Sequence, residues 1–413
     1  MDEQIQNPRR VLILSASAGA GHVRAAEALL KVFDGHSGVS EVAHWDMLKY
    51  TTKIFRHIYS QVYLDLINHA PTMLGILYDT LDKPWQKEKA RLAFEKFNAG
   101  PFLKAVTKFA PDLIVCTHFT PAALTAWLYE NKRLSVKPAI VVTDFDCHAT
   151  WLTHTYLYYF VILDETREHL IRLGIDPARI CVSGIPIDPV FMKPKTQKES
   201  RRRLELREDL FTILVSAGGN GVGPMEMLVA ELLQINRPVQ IVVIAGRSVE
   251  LKTRLDELAA QVNGQGPVRL VPVGYTNQMD EYMAAADILL GKPGGMTSGE
   301  AMARNLPMCI FNPIPGQEER NSDHLLELGT AIRCNNLPTT AYKLQLLMDD
   351  PKRLAMMRQN TAKIAHPDSA KTIVDTLLNM PSQRPPHKRR GNIGKRLRVG
   401  GRLLGARMLN RVK

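Results

Sequence analysis

The chain alternates between short apolar runs and longer amphipathic stretches, the pattern of parallel strands joined by helices. The runs contain few charged residues, which is typical of strands that are buried on both faces of a sheet. In the first half, strands are predicted at residues 10–17, 39–45, 112–118, 139–146, 159–164 and 180–186. We therefore predict an α/β domain with a doubly wound parallel sheet.

One region, residues 50–110, interrupts this alternation with a helical pattern. Apolar and aromatic side chains recur there at helical spacing, first as Phe55, Tyr59, Tyr63, Leu66 and Ile67 and then as Met73, Leu74, Leu77, Tyr78 and Leu81. Two interpretations remain open. The helices cover the sheet, or they form a cleft or membrane-facing surface for a lipid acceptor, because Trp and Tyr favour the bilayer interface.

A proline-rich, charged segment, residues 186–203, is interpreted as the linker to a second half with the same alternation. Several of the strands predicted there end in glycine-containing turns, among them those at Gly218, Gly274 and Gly294. The carboxyl ends of parallel strands meet at one edge of a sheet, so these turns are expected to converge. Helix N-termini leave backbone N–H groups unpaired, and the sequence therefore predicts a diphosphate site at this edge.

The stretch from residue 287 to 324 contains two such turns. After the first, a helix is predicted to begin near Thr297 or Ser298, with Glu300 in its first turn, where a carboxylate suits a ribose diol beside the phosphates. The second turn, residues 312–316, presents Gln317 and Glu318 at the start of another helix. Ordinary strand-to-helix junctions with capping residues are the alternative for either turn.

Two loops of the first half carry further candidate chemistry. The first strand ends in Gly19-Ala20-Gly21-His22, and a helix N-terminus favours a neutral imidazole at His22, which suits a general base. A capping or structurally bonded histidine is the alternative. The glycines of this turn, Gly19 and Gly21, lack the spacing of a dinucleotide fingerprint.

The second loop leaves its strand at Thr143 and carries Asp144, Asp146, His148 and Trp151. These residues are interpreted as polar loop residues that face an acceptor. A metal site at the Asp-x-Asp pair is the alternative.

Length and charge limit the class of protein. A chain of 413 residues exceeds one ordinary core, which predicts two domains. The net charge of +12 is concentrated in residues 384–413, which contain eleven Lys or Arg and no Asp or Glu and leave about +1 for the rest. This distribution does not favour a nucleic-acid-binding protein. The sequence has no apolar run of about 18 residues, the length that a membrane-spanning helix needs. It also has no apolar signal at the N-terminus, so a cytoplasmic protein is expected.

Six blocks along the chain resemble a known family. They read GAGH followed by AAEAL, VVTDFDCHATW, VSGIPIDPVF, SAGGNGVGP, KPGGMTSGEAMARNLP and NPIPGQEERN. In this order they are similar to the monogalactosyldiacylglycerol synthases and the bacterial processive diacylglycerol glycosyltransferases, over roughly residues 10 to 380. The second half is also similar to the enzyme that adds N-acetylglucosamine in lipid II synthesis.

The resemblance implies a GT-B fold, in which two Rossmann-like domains face a cleft. The implied boundaries are 1–190 for the acceptor domain, 191–208 for the linker, 209–365 for the UDP-sugar domain, 366–383 for a crossover helix and 384–413 for the tail. It also implies inverting transfer of glucose, galactose or glucuronate from a UDP-sugar to diacylglycerol or a glycosyl-diacylglycerol. The UDP-sugar is then a substrate, and neither a cofactor nor a tightly bound catalytic metal is implied.

The family's site residues carry over by motif. His22 becomes the base that deprotonates the acceptor, and Gly21, His148 and Trp151 face that acceptor. The implied UDP-sugar residues are Gly218, Gly219, Asn220, Tyr275, Gly294, Gly295, Met296, Thr297, Glu300, Gln317 and Glu318. N-acetylglucosamine transfer to a polyprenyl-linked acceptor and a non-catalytic UDP-sugar sensor remain alternatives.

The basic tail departs from the family's blocks. Its apolar residues recur at intervals of four or seven residues, as Ile393, Leu397, Leu404, Met408 and Val412, amid arginines. We predict that it becomes ordered on anionic lipid and keeps the enzyme peripherally at the inner face of the cell membrane. A disordered solubilising tail is the alternative.

Overall fold

Two parallel sheets organise the chain. The computed structural model describes residues 8–59, 65–66, 69–86, 88–216 and 225–383, without the side chains of 88–90. In this part of the chain each sheet has six strands. The first has the order β2-β1-β3-β4-β5-β6 and the second the order β12-β11-β10-β7-β8-β9. These are doubly wound orders, in which the first strand lies inside the sheet and ligand crevices open at the carboxyl ends of the strands.

The first sheet follows the apolar runs of the first half. Its strands are β1 (Arg9–Ser15), β2 (Val39–Asp46), β3 (Leu113–Cys116), β4 (Pro138–Val141), β5 (Tyr158–Val161) and β6 (Ile180–Val182). Its helices are α1 (Ala20–Phe33), α2 (Lys53–His57), α3 (Pro71–Leu81), α4 (Glu88–Asn98), α5 (Gly100–Phe109), α6 (Phe119–Glu130) and α7 (Asp164–Arg172). The predicted strands are confirmed, and so is the helical region after residue 50 where the structure describes it; Tyr63 and Ile67 of the predicted pattern lie outside the described residues.

The second sheet repeats the arrangement. Its strands are β7 (Phe211–Ser216), β8 (Val239–Ile244), β9 (Val268–Val273), β10 (Ile288–Gly291), β11 (Met308–Phe311) and β12 (Ala331–Cys334). Its helices are α8 (Gln197–Arg203), α9 (Met225–Leu232), α10 (Val249–Val262), α11 (Met279–Ala285), α12 (Gly295–Ala303), α13 (Gln317–Glu327), α14 (Thr340–Met348) and α15 (Pro351–Lys363). The predicted glycine loop at 217–224 and the tail at 384–413 lie outside the described residues.

Part of the expected linker is a packed helix. Within α8, the guanidinium of Arg201 is buried and donates to the Asp287 carboxylate at 2.7 Å and to the Ala285 carbonyl at 2.9 Å. The sequence of α8 shows no apolar periodicity, because an ion pair to the second half of the chain holds this helix in place and an apolar face does not.

The last helix, α16 (Ser369–Asn379), packs against the first sheet. Its buried face, Ile373, Val374 and Leu377, lies in one apolar cluster with residues of β1 and α1. The guanidinium of Arg9 in β1 donates to the Leu377 carbonyl at 2.8 Å. The two halves of the chain are therefore joined twice, at the linker and through α16.

The helices between residues 50 and 110 expose apolar side chains. Phe97 is 86% exposed, Ile54 74%, and Met73 and Ile76 of α3 more than 60%. A helix that only covers a sheet would present polar residues to water. Among the described residues, no helix has the length and apolar character needed to cross a bilayer.

Candidate active site

His22 lies near the start of α1, at the carboxyl edge of the first sheet. Its Nδ1 is 2.9 Å from the Thr117 carbonyl oxygen and 2.9 Å from the Thr143 hydroxyl. A carbonyl oxygen can only accept a hydrogen bond, so Nδ1 carries the proton and Nε2 keeps its lone pair. The Thr117 hydroxyl also donates to the His22 carbonyl at 2.8 Å, which fixes this end of the helix.

The surroundings of His22 keep the imidazole neutral. Burial lowers the pKa of His22 to about 4. The His118 ring meets it edge to face at 4.6 Å between centroids, and the Trp151 ring lies 6.3 Å away. A neutral imidazole with a free Nε2 is the form that can accept a proton.

His118 is a neighbour that the sequence did not single out. It is buried, and its Nδ1 accepts from the Thr120 backbone N–H at 3.1 Å, so it caps α6. It also stacks on Phe119, whose ring lies 6.0 Å from that of Trp151. These rings form an aromatic wall beside the imidazole of His22, and the assignment of Trp151 to the acceptor side stays a prediction.

His148 uses both ring nitrogens within the protein. Nε2 donates to the Tyr78 carbonyl at 2.9 Å, and Nδ1 accepts from the Thr150 backbone N–H at 3.1 Å. This bonding shapes the loop after β4, and direct contact of His148 with an acceptor stays a prediction. Gly21 lies next to Met296 of α12, with which a Cβ on Gly21 would be in contact at 3.5 Å.

Helix α12 begins earlier than predicted. Its first residue is Gly295, and Gly294 precedes it in extended conformation, so the prediction of a start near Thr297 or Ser298 is wrong. Glu300 therefore lies in the second turn rather than the first. The reason is a close approach: a Cβ on Gly295 would lie 2.0 Å from the Thr143 carbonyl oxygen. Without a side chain, the helix can start against the first half of the chain.

The carboxylate of Glu300 is 1% exposed and forms an ion pair with Arg24 of α1. Burial raises the pKa of Glu300 to about 7, although Arg24 opposes this shift. A buried carboxylate paired with an arginine can exchange that partner for hydroxyl groups of a ligand. Ribose binding by Glu300 stays a prediction.

The second turn holds Gln317 and Glu318 inside the cleft. Gln317 donates its amide to the Asp144 carboxylate, and burial raises the pKa of Asp144 to about 6. Glu318 accepts from the Ile314 backbone N–H at 2.8 Å and lies close to Gly294. The two turns of this stretch therefore meet, while convergence of the Gly218 and Gly274 turns with them stays a prediction.

Contacts across the cleft also involve Asn321, one turn after Gln317 in α13. Its side chain accepts from the Phe145 N–H at 3.0 Å and donates to the Pro293 carbonyl at 3.0 Å. Lys292, half-buried before the first turn, has a pKa lowered by burial and faces the charge of Glu318. No local pattern marks these residues, because their partners lie far away in the sequence.

The remaining UDP-sugar candidates lie partly within and partly outside the described residues. Tyr275 is 61% exposed, and the Arg247 guanidinium lies 5.3 Å from its ring centroid. Met296 and Thr297 follow Gly295 in the first turn of α12. Gly218, Gly219 and Asn220 lie outside the described residues, so their place at the site stays a prediction.

Solved structures of other proteins share this architecture. MurG of Acinetobacter baumannii matches with a TM-score of 0.59 and 13% identity over 90% of this chain and 100% of its own. Anabaena HepE in complex with UDP matches with a TM-score of 0.52 and 14% identity over the same shares. The fold is the GT-B fold, with two Rossmann-like sheets facing a cleft, and that prediction is confirmed.

Comparisons with related sequences identify the protein family within this fold. Residues 22–187 match the family model of monogalactosyldiacylglycerol synthase, and residues 197–364 match that of the glycosyl transferases group 1. The processive diacylglycerol beta-glucosyltransferase of Staphylococcus aureus is 30% identical over 380 residues, 90% of this chain and 93% of the relative. That of Bacillus licheniformis is 28% identical over 371 residues, with shares of 90% and 94%. The chain belongs to this family of glycosyltransferases, and the polyprenyl-acceptor and sensor alternatives are not favoured.

Proposed function

We propose that the protein transfers a hexose from a UDP-sugar to the hydroxyl group of diacylglycerol or a glycosyl-diacylglycerol. The observation that carries this proposal is the imidazole of His22, held neutral at the cleft with Nδ1 bound to Thr117 and Nε2 available. The names of the relatives support diacylglycerol as the acceptor and glucose as the first donor sugar to test.

In the proposed reaction, Nε2 of His22 takes the proton of the acceptor hydroxyl. The acceptor oxygen then forms a bond to the anomeric carbon, while the bond from that carbon to the UDP oxygen breaks and the electron pair leaves with UDP. Attack from the side opposite the leaving group inverts the anomeric carbon. The products are the glycolipid, UDP and the proton, which His22 releases to solvent.

The donor is assigned to the turns of the second half. The N-terminus of α12, at Gly295, offers backbone N–H groups and the positive end of the helix dipole to the diphosphate. These groups stabilise the charge that develops on UDP as it leaves. Glu300 would then exchange Arg24 for the ribose, and Gln317 and Glu318 would contact the sugar hydroxyls.

The acceptor is assigned to a lipid bilayer that contacts the helices between residues 50 and 110. Ile54 of α2 and Phe97 of α4 are largely exposed, and basic residues of the same helices, Arg56 and Lys96, accompany them. The two helices are joined by hydrogen bonds from the Thr52 N–H and hydroxyl to Asn98, at 3.1 and 2.8 Å. An apolar face with basic neighbours suits a membrane with anionic lipids, and we place the protein at the inner face of the cell membrane.

The test is a transfer assay with the full chain. Vesicles that contain diacylglycerol are incubated with radiolabelled UDP-glucose, UDP-galactose, UDP-glucuronate or UDP-N-acetylglucosamine, and the lipids are separated by thin-layer chromatography. We expect a labelled glycolipid from one of the three hexose donors. Label in a lipid only with UDP-N-acetylglucosamine, or in none, would refute the proposal.

A further inference from the structure

Helix α3 contacts the turn that presents Gln317. A Cβ on Gly75 would lie 3.1 Å from the Pro315 side chain, and one on Gly316 would lie 2.8 Å from the Tyr78 ring. Gly316 has a φ of +87°, which favours glycine for a second reason. A helix from the first half of the chain therefore packs on the turn that is assigned to the donor sugar.

Arg320, one turn into α13, binds three carboxylates from the first half. Its guanidinium donates to Asp82, to Asp146 at 3.0 Å and to Asp79 at 3.1 Å. It also lies over the Tyr78 ring, 5.0 Å from the centroid. A planar guanidinium has five N–H donors in fixed directions, so it can hold several partners in one arrangement.

The partners of Arg320 belong to the lipid side of the site. Asp79 lies in α3 and Asp82 directly after it, and Asp82 also accepts from the Ala149 N–H at 2.8 Å in the loop after β4. The opposite face of α3 exposes Met73 and Ile76. One side of α3 is thus apolar and open, while the other contacts the sugar turn and Arg320.

We propose that Arg320 is a positioning residue that couples lipid contact at α3 to binding of the UDP-sugar at α13. The proposal rests on the proposed function for its choice of ligands. When the apolar face of α3 enters a bilayer, the helix is held in one place, and Arg320 with the Tyr78 contact holds the sugar turn in the place that the donor requires.

Such coupling is reciprocal, so lipid contact changes the affinity for the UDP-sugar by the same factor as the UDP-sugar changes the affinity for lipid. Typical coupling changes affinity about 5-fold to 150-fold. Vesicles should therefore strengthen the binding of UDP-glucose to the wild-type protein by about fivefold or more. Arg320→Ala should remove this shift. Arg320→Lys should restore part of it, because an ammonium group keeps the charge without the planar set of donors.

The experiment measures the Kd of a non-hydrolysable UDP-glucose analogue with and without vesicles of phosphatidylglycerol and diacylglycerol. The matched control is Arg254→Ala, which removes an exposed arginine and its ion pair with Glu226 elsewhere in the second half. It should keep the wild-type shift. Thermal unfolding and vesicle sedimentation of each variant establish that it folds and still binds lipid.

An unchanged analogue Kd on adding vesicles to the wild type would overturn the inference, and so would a full shift in Arg320→Ala. Neither result depends on turnover. The transfer assay judges the proposed function separately, since an enzyme without this coupling would still form a glycolipid.

Discussion

The imidazole of His22 is oriented by a neutral carbonyl oxygen, that of Thr117, rather than by a carboxylate. A carboxylate partner would raise the pKa of the imidazole and strengthen it as a base. With a pKa near 4, His22 is a weak base. We infer that it takes the proton while the new bond to the sugar is already forming, when the acceptor hydroxyl has become more acidic.

Replacement of His22 by Ala should lower the rate of transfer by about a hundredfold to ten-thousandfold, the usual contribution of a general base. The affinity for UDP should stay unchanged, because the assigned donor residues lie in the second half of the chain. Transfer is measured by the chromatographic assay and UDP binding by calorimetry. His36→Ala, in the turn between α1 and β2 at the opposite edge of the sheet, is the control. Near wild-type turnover in His22→Ala would remove the base assignment.

Glu300 gives a pH dependence to stability. Its pKa is raised from 4.5 to about 7 by burial, so between these values the folded state keeps a proton that the unfolded state has lost. The free energy of unfolding should therefore fall as pH rises through this window, by up to about 3 kcal/mol. Glu300→Gln cannot ionise and should lose this part of the dependence. Urea unfolding of both proteins at pH 5 and pH 8 is the measurement, and equal pH dependence in both would contradict the assignment.

Among single residues, sequence patterns pointed to those near the junction between a strand and the helix that follows it. They did not point to residues whose role depends on partners far away in the chain. His22, Glu300 and Gln317 stand at strand-to-helix junctions, which an apolar run and a glycine turn reveal. Arg24 and Arg320 lie inside helices, where an arginine is ordinarily a solvated side chain. Their partners are between 174 and 276 residues away in the sequence, and only the packing of the two halves brings them together.

Among the helices, α12 limits how closely the two halves of the chain can approach each other. Its first residue, Gly295, touches the Thr143 carbonyl, and Thr143 in turn bonds His22. Gly299 lies one turn later in the same helix, where a Cβ would make an ordinary contact of 3.4 Å with Ile187.

Gly295→Ala should therefore push the loop of Thr143 away from the helix, at a cost of about 1–3 kcal/mol. Because that movement displaces a partner of His22, kcat/KM for transfer should fall by about tenfold, which corresponds to about 1.4 kcal/mol. Gly299→Ala should leave transfer unchanged and stabilise the helix by up to about 1 kcal/mol. Steady-state kinetics and thermal unfolding separate the two variants. Equal behaviour of both would mean that the contact at Gly295 is unimportant.

Strands and helices were well predicted from the sequence because buried parallel strands are continuous apolar runs. The starting residue of α12 was misplaced, since the usual signal, a hydroxyl residue that caps the helix, points to Thr297 or Ser298. The helix instead starts at a glycine whose neighbour comes from another part of the chain. The helices after residue 50 were recognised, but periodicity alone did not reveal which of their apolar side chains are exposed.

For the whole molecule, we expect two modes of membrane contact, one through the basic tail and one through exposed apolar side chains. The tail, residues 384–413, lies outside the described residues and contains eleven Lys or Arg and no Asp or Glu. If this charge attracts the tail to anionic lipid, the attraction is screened by salt, whereas insertion of exposed apolar side chains such as Phe97 into a bilayer would not be.

Truncation to residues 1–383 should therefore weaken sedimentation with phosphatidylglycerol vesicles at low salt and have little effect at 1 M salt. The full chain should approach the behaviour of the truncated one as salt rises. Equal binding of both proteins at low salt would exclude the tail from membrane contact. A catalytic assay of the same two proteins in detergent micelles checks that the truncated chain is intact.

The position of α16 has a consequence for synthesis on the ribosome. Ile373, Val374 and Leu377 complete the apolar cluster that covers one face of the first sheet. Nearly the whole chain must therefore leave the exit tunnel before the half that emerges first can bury that face. Until then the part of this face that α16 covers stays exposed to water, although α1 covers the remainder, and a nascent chain that stops before α16 is one that chaperones and proteases would recognise.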